Sequence, residues 1–191
     1  MKKEEINILR RVYGVLTVLV LLTFYLFMES YFIYFLVGLI LLSLIFDIGR
    51  VYKNKAIENI SKYYPKEKNE GNFSDLSIFL IFSLVLALIV PKGIFILSLL
   101  VFIVSDNIEH IVGVLYHRGP LFWNRSKSWS GFISGFLVSL TILYLLGGYF
   151  DIIGNSKLII GVSFLSALAG TSNFQDNLLI PGVVSLGLVL S

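Results

Sequence analysis

The sequence contains no cysteine, so disulfide bonds and thiolate chemistry are both excluded. It has only two histidines, and catalytic zinc usually takes three protein ligands, so a zinc site is not expected. Charged residues are also scarce, at 14% of the chain, whereas 57% of the residues are hydrophobic and the mean hydropathy is +0.87. This composition predicts an integral membrane protein with a single membrane domain, residues 1–191, and no separate soluble domain.

The first apolar segment lacks a small-residue cleavage site. Lysines and arginines precede it at positions 2, 3, 10 and 11, as they do in a signal peptide. Residues 24–28 continue the segment with bulky side chains, however. We therefore expect this segment to remain in the protein as a membrane span.

The apolar residues fall into blocks of roughly 14 to 20, about the length that a helix needs to cross a bilayer. We predict an all-α membrane protein with about seven transmembrane helices. The candidate spans are residues 12–28, 31–46, 76–90, 94–104, 132–146, 158–169 and 178–190. The helical pattern of the fourth span continues to about Tyr116, which predicts a helix that leaves the bilayer while still helical.

Charge placement predicts the topology, because lysine and arginine concentrate in cytoplasmic loops. If the N-terminus is cytoplasmic, every lysine and arginine except Lys92 and Lys157 lies on the cytoplasmic side. The loops at about 47–75, 105–131 and 170–177 are then cytoplasmic as well. The pI near 9.0 follows from this bias, so we expect no nucleic-acid partner.

The first polar cluster lies at the end of the fourth span, where Asp106 is deepest at the apolar boundary. Asp106, Glu109, His110 and Gly113 fall at i, i+3, i+4 and i+7, which places them on one face of a helix. Such a face can hold a divalent cation, and Mg²⁺ is favoured because it prefers carboxylate oxygens and phosphates. The alternative is a helix end whose charges simply meet water.

The second cluster follows a basic, aromatic loop and precedes the next span. Arg118, Arg125 and Lys127 supply positive charge, and Ser128 and Gly131 follow at the expected start of a helix. The N-terminus of a helix favours anions, so this segment is a candidate phosphate-binding site. The alternative is a cytoplasmic loop with small residues that serve helix packing.

Two further polar groups are predicted on the same side of the membrane. Asp176 and Asn177 precede the last span, where one of them could simply cap the helix. Asp47 and Arg50 end the second span. The convergence of these groups on one face suits a reaction between a cytosolic molecule and a lipid.

The order of these residues resembles a known superfamily. Asp106-Asn107 with Gly113, Lys127-Ser128 with Gly131, and Asp176-Asn177 before Pro181 are similar to motifs of the dolichol kinase, phytol kinase and yeast-type diacylglycerol kinase superfamily. Asp47 and Arg50 match a further acidic-x-x-Arg motif. The resemblance implies a membrane enzyme that phosphorylates a lipid alcohol, commonly with CTP, and that is related to CDP-diacylglycerol synthases. Small residues are commoner in that superfamily where Glu109 and His110 stand.

The resemblance also implies roles for individual residues. Asp106 and Asp176 would hold Mg²⁺ against the phosphates, and Lys127 with Arg118 or Arg125 would neutralise charge on the leaving group. Asn107 and Asn177 would position phosphate oxygens, together with Gly113, Ser128 and Gly131. The resemblance does not assign the base that accepts the hydroxyl proton, and His110 and Asp47 are candidates for it by residue type alone.

Two other functions fit the same residues. A cytidylyltransferase would attach CMP to a lipid phosphate with similar metal and lysine chemistry, and a transporter or scaffold would use no chemistry at all. The expected partners are a lipid alcohol, a nucleotide and the bilayer, and an oligomer is compatible with the sequence.

Overall fold

The structure is a computed structural model that describes residues 3–52, 73–116, 119–150, 156–172 and 176–190, with side chains from residue 12 in the first helix and from residue 178 in the last. Within these ranges the chain forms seven α-helices and no strand, apart from one antiparallel bridge between Pro120 and Ser128. The helices are α1 (Lys3–Phe27), α2 (Glu29–Val51), α3 (Asp75–Ile89), α4 (Lys92–Leu115), α5 (Trp129–Tyr149), α6 (Ser156–Gly170) and α7 (Asp176–Val189). The prediction of an all-helical protein is confirmed.

Three of these helices, α2, α4 and α5, are long and apolar enough to cross a membrane. The apolar parts of α1, α3, α6 and α7 are shorter, at residues 12–27, 75–89, 156–170 and 178–189. Many large apolar side chains remain exposed, among them Leu42 on α2 and Leu145 on α5. Such exposure is typical of helices that face lipid.

Helix α4 extends without a break from Lys92 to Leu115, so the prediction that the fourth span continues as a helix is confirmed. It follows Pro91, and neither glycine nor proline interrupts it between Gly93 and Gly113. Residues 94–99 are all buried, and six consecutive buried residues mean that the helix is covered on every side there. The final turns of α4 carry the first polar cluster on this rigid support.

The chain forms two compact units, residues 1–85 and 86–191. In the C-terminal unit α5 packs on α4 and α6, α6 packs on α7, and α7 packs back on α4. Glycine permits the closest approaches: a Cβ atom added to Gly131 would lie 3.3 Å from Cα of Gly113. Small residues at such contacts are typical of helices that associate within membranes.

Three buried serines link neighbouring helices of this unit. Ser166 on α6 donates to Ser139 on α5, and Ser139 donates to Ser105 on α4, with both Oγ–Oγ distances at 3.0 Å. All three side chains have no exposed surface. Hydroxyl bonds of this kind between helices are worth about 0.6–2 kcal/mol each in a membrane, so the serines help to hold α4, α5 and α6 together.

In the N-terminal unit α1 and α2 pack as a helical hairpin around Met28. Phe24 stacks on Phe35 with ring centroids 4.0 Å apart, and Tyr25 packs on Phe32 at 4.4 Å. Aromatic pairs at these separations add to the apolar burial that joins the two helices.

Asp47 of α2 binds the N-terminus of α3. Its side chain is 1% exposed, and its Oδ2 accepts hydrogen bonds from Ser74 N at 2.8 Å, Ser74 Oγ at 3.0 Å and Ser77 Oγ at 2.6 Å. Arg50 lies 3.6 Å from Oδ1. Asp47 therefore caps α3 from a distant position in the sequence, and these contacts favour a structural role for it.

We expect Asp47→Ala to lower the free energy of unfolding by about 2–4 kcal/mol, because it removes the acceptor of the buried Ser77 hydroxyl and of the half-buried Ser74 donors. Reversible denaturation in micelles, followed by far-ultraviolet circular dichroism, measures this loss. Glu29→Ala is the matched control, since Glu29 is exposed at the first turn of α2 and its loss should cost less than about 1 kcal/mol. Equal losses in the two variants would contradict the capping role.

Candidate functional site

The loop before α5 has a defined hydrogen-bonded structure. Leu121 N donates to Lys127 O at 3.0 Å, and Trp129 N donates to Gly119 O at 3.1 Å, so the two sides of the loop run antiparallel. Gly119 has a φ of +67°, a left-handed conformation that glycine adopts without steric cost. These bonds fix the backbone on either side of Lys127.

Asn124 holds the tip of this loop against the end of α6. Its Oδ1 accepts from Ser126 N and Oγ at 3.2 and 2.7 Å, which is the pattern of an asparagine-stabilised turn. Its Nδ2 donates to Thr171 O at 2.9 Å, and Trp123 Nε1 donates to Thr171 Oγ1 at 3.2 Å. The loop is thus attached to a helix that lies more than forty residues further along the chain.

Aromatic side chains pack around the same loop. Trp123 and Trp129 meet edge to face at 5.5 Å, and Trp129 meets Phe132 at 5.8 Å. Leu121 beside them has no exposed surface. This packing supports the first turn of α5 and the segment that carries Lys127.

Ser128 is the N-cap of α5, because its Oγ accepts from Gly131 N at 3.2 Å. A Cβ at Gly113 would lie 3.2 Å from Ser128 Oγ, and a Cβ at Gly131 would lie 2.8 Å from the carbonyl oxygen of Glu109. The space at both glycines is therefore occupied by neighbouring protein. This geometry favours the packing interpretation of Gly113 and Gly131 over an open phosphate site.

The central contact of the site is an ion pair between Glu109 and Lys127. Lys127 Nζ donates to Glu109 Oε1 at 3.2 Å and to Gly170 O at 2.8 Å. The Glu109 side chain is 2% exposed and that of Lys127 is 26% exposed. The pair joins the last turns of α4, the residue before the N-cap of α5 and the C-terminus of α6.

Two glycines leave room for the Glu109 carboxylate. A Cβ at Gly170 would lie 2.5 Å from Glu109 Oε2, and a Cβ at Gly135 would lie 3.2 Å from the same atom. The carboxylate therefore fits closely between the backbones of α5 and α6. Any side chain at Gly170 would displace it.

The direction of a side chain on α4 decides its burial. Glu109 lies four residues after buried Ser105 and four before Gly113, and this row faces α5. Asp106 and His110 are only half-buried, although Asp106 is nearer to the apolar block. The carboxylate nearer to the apolar block in the sequence is therefore not the one that the structure buries.

The other predicted site residues are placed as follows. Asn107 is half-buried and its Nδ2 donates to Ile103 O at 2.6 Å within α4, while Arg125 is exposed at the loop tip. Asp47 and Arg50 belong to the N-terminal unit described above. Arg118 and the side chains of Asp176 and Asn177 lie outside the described residues, although the backbone of α7 begins at Asp176.

No group of three or more acidic or histidine side chains that could hold a metal occurs in the described part of the chain. Mg²⁺ in nucleotide sites commonly uses one or two carboxylates and takes its remaining ligands from phosphates and water. Asp106 is compatible with that arrangement, and its pairing with Asp176 stays a prediction.

Sequence analysis did not single out Gly170 or Thr171. Gly170 ends an apolar helix and resembles an ordinary C-terminal glycine, so no local signal marked it. Asn124 offered a weak signal, because asparagine in a loop commonly bonds to backbone. The roles of Gly170, Thr171 and Asn124 depend on contacts between segments that are distant in the sequence.

The described helices and contacts define an all-helical protein with three helices able to span a membrane and, at helix ends, a buried carboxylate paired with a partly exposed lysine. Comparison of the chain with models of protein families, with curated proteins and with solved structures finds no match. Function is therefore inferred from the residues themselves.

Proposed function

We propose that this chain is a membrane-embedded kinase that transfers the γ-phosphate of CTP to a lipid alcohol of the polyprenol or dolichol type. One observation carries the proposal. The resemblance implies that Lys127 interacts with a phosphate of the nucleotide. The ammonium of Lys127 is held by two acceptors, and 26% of its side chain is still exposed. A cation held in this way is suited to binding a phosphate that approaches its exposed side from solvent.

Phosphoryl transfer depends mainly on alignment of the reactants and on stabilisation of charge. A preorganised ammonium contributes more than a mobile one, because no reorganisation is needed as charge develops. Lys127 meets this requirement, and the exposed Arg125 stands two residues away in the same loop. Mg²⁺ held by Asp106 and Asp176 would supply further neutralisation of the phosphates.

The predicted topology is compatible with these contacts. Seven spans with a cytoplasmic N-terminus would place residues 105–131 and 170–177 on the same side of the membrane. Hydrogen bonds between Lys127 and Gly170, and between Asn124 and Thr171, join those two segments. A site at the cytoplasmic surface would give CTP access from water and the lipid alcohol access from the bilayer.

The test uses purified protein in lipid nanodiscs with CTP that is labelled at either the α- or the γ-phosphate. Polyprenol, dolichol, phytol and diacylglycerol are supplied as acceptors, with Mg²⁺ or with a chelator. A kinase transfers the γ-label to lipid and leaves the α-label in solution, and chelation abolishes transfer.

Two other outcomes would overturn the proposal. Transfer of the α-label to an added lipid phosphate would identify a cytidylyltransferase. Transfer of neither label, with protein that is shown to be folded, would favour a transporter or scaffold.

A further inference from the structure

We propose that Glu109 is a positioning residue, which sets the location of the Lys127 ammonium for the phosphoryl group. The inference rests on the proposed function and adds to it a residue that the superfamily resemblance does not include. Four features carry it: the geometry of the pair, the burial of Glu109, the two glycines around its carboxylate, and the helices from which the contacts come.

The geometry defines the position of the ammonium in space. A lysine ammonium is a compact charge on a flexible four-carbon chain, so one contact would leave it free to move. Lys127 Nζ instead contacts Glu109 Oε1 at 3.2 Å and Gly170 O at 2.8 Å. These acceptors come from α4 and α6, so the ammonium is fixed relative to two helices.

Burial makes the contact with Glu109 difficult to break. The Glu109 side chain is 2% exposed, and a carboxylate at such a position is strongly destabilising without a partner. Separation of Lys127 from Glu109 would break this ion pair at a buried carboxylate, which is costly. Lys127 is therefore expected to stay on Glu109 when a phosphate binds to its exposed side.

The two glycines fix the carboxylate itself. Atom Oε2 lies against Gly135 and Gly170, where added Cβ atoms would come within 3.2 and 2.5 Å of it. The C-terminal end of α6, which carries partial negative charge, adds to the attraction for the ammonium. The position of Lys127 thus follows from the packing of α4, α5 and α6.

The alternative is that the pair only holds the helices together. The two interpretations predict different kinetic effects when Glu109 is substituted. A positioning residue affects the rate of the chemical step, whereas a purely structural contact lowers stability and leaves the turnover of the folded fraction unchanged.

The experiment compares Glu109→Gln with Glu109→Asp in the lipid kinase assay, below the unfolding temperature of each variant. Glutamine keeps the shape and one acceptor oxygen, so the variant is expected to fold. We expect kcat to fall at least about tenfold with KM for CTP changed less than about threefold, since a misplacement of ~1 Å can cost about 10²-fold. Glu109→Asp should retain more activity than Glu109→Gln, because it keeps the charge. Glu29→Gln is the control and should leave kcat unchanged.

A double variant tests whether Glu109 acts through Lys127. In a Lys127→Ala background, Glu109→Gln should cause no further fall in kcat. A further fall of the same size as in the native background would overturn the proposal. So would native kcat in Glu109→Gln.

A second readout does not depend on kinase activity. Acetic anhydride acetylates accessible lysines, and mass spectrometry gives the rate at Lys127 relative to Lys157. Glu109→Gln should raise this ratio at least about threefold, because the ammonium loses its charged anchor. An unchanged ratio would overturn the positioning role even if the protein is a kinase. A raised ratio in a protein that transfers no phosphate would support the positioning of Lys127 and refute the proposed function alone.

Discussion

Lys127→Ala is expected to reduce γ-phosphate transfer from CTP to lipid by about 10²–10³-fold, which is the usual cost of removing one preorganised donor from a developing negative charge. The native ammonium is held by Glu109 and Gly170, so its position is set before the substrates bind. Alanine removes the charge and leaves no side chain that could replace it. Initial rates with γ-labelled CTP in nanodiscs measure the effect.

Two matched variants make this result interpretable. Lys157→Ala removes an exposed lysine near the start of α6 and should leave the rate within about twofold of native. Lys127→Met combined with Glu109→Gln removes the buried charge of Glu109 together with the partly exposed charge of Lys127 and keeps similar volume, so it should fold with near-native stability and remain inactive. A double variant that is folded and fully active would exclude any catalytic role of the pair.

Gly170→Ala is expected to destabilise the protein by about 1–3 kcal/mol, in the range typical of an overpacked interior. The new Cβ would lie 2.5 Å from Glu109 Oε2 and 3.3 Å from Ile180 Cδ1. The carboxylate must move to accept it, and Lys127 is bonded to that carboxylate. We therefore also expect phosphate transfer to fall at least about tenfold, as a displaced cation loses alignment with its target.

Gly161→Ala on the same helix is the matched control. Apart from the nearby backbone of its own helix, no atom of the described residues lies within 4 Å of the position that its Cβ would take. Alanine in a helix interior is favoured over glycine by about 0.5–1 kcal/mol, so this variant should be slightly more stable than the native protein. Denaturant titration of both variants gives the comparison. Similar stabilities for the two would show that the space around the Glu109 carboxylate is not constrained.

The helical architecture was accessible from sequence because it depends on local composition. Apolar blocks of the right length predicted the helices, and the pattern beyond residue 104 predicted that α4 continues, as it does to Leu115. The polar runs also indicated the helix ends at which Glu109 and Lys127 lie. Lys127 and Glu109 were both named as candidates, although nothing in the spacing indicated that they bond to each other.

The pairing could not be predicted, because it depends on how helices rotate and approach. Asp106 and Glu109 are three residues apart on α4, and a rotation of the helix by a fraction of a turn would exchange their environments. In the structure Glu109 is only 2% exposed, whereas Asp106 is half-buried. The glycines that leave room for the Glu109 carboxylate are Gly135 on α5 and Gly170 on α6. They lie 26 and 61 residues beyond Glu109 in the sequence.

The sequence by itself determined that this protein is built of apolar helices with polar groups at their ends, because the composition and periodicity of each segment fix its own helix. Only the tertiary structure decided which of those groups meet. Glu109 lies against Gly135 and Gly170 because α4, α5 and α6 can approach closely there, and the Lys127 cation offsets part of the cost of burying its carboxylate. Close packing and charge compensation act between distant segments, and so they become visible only when the helices are assembled.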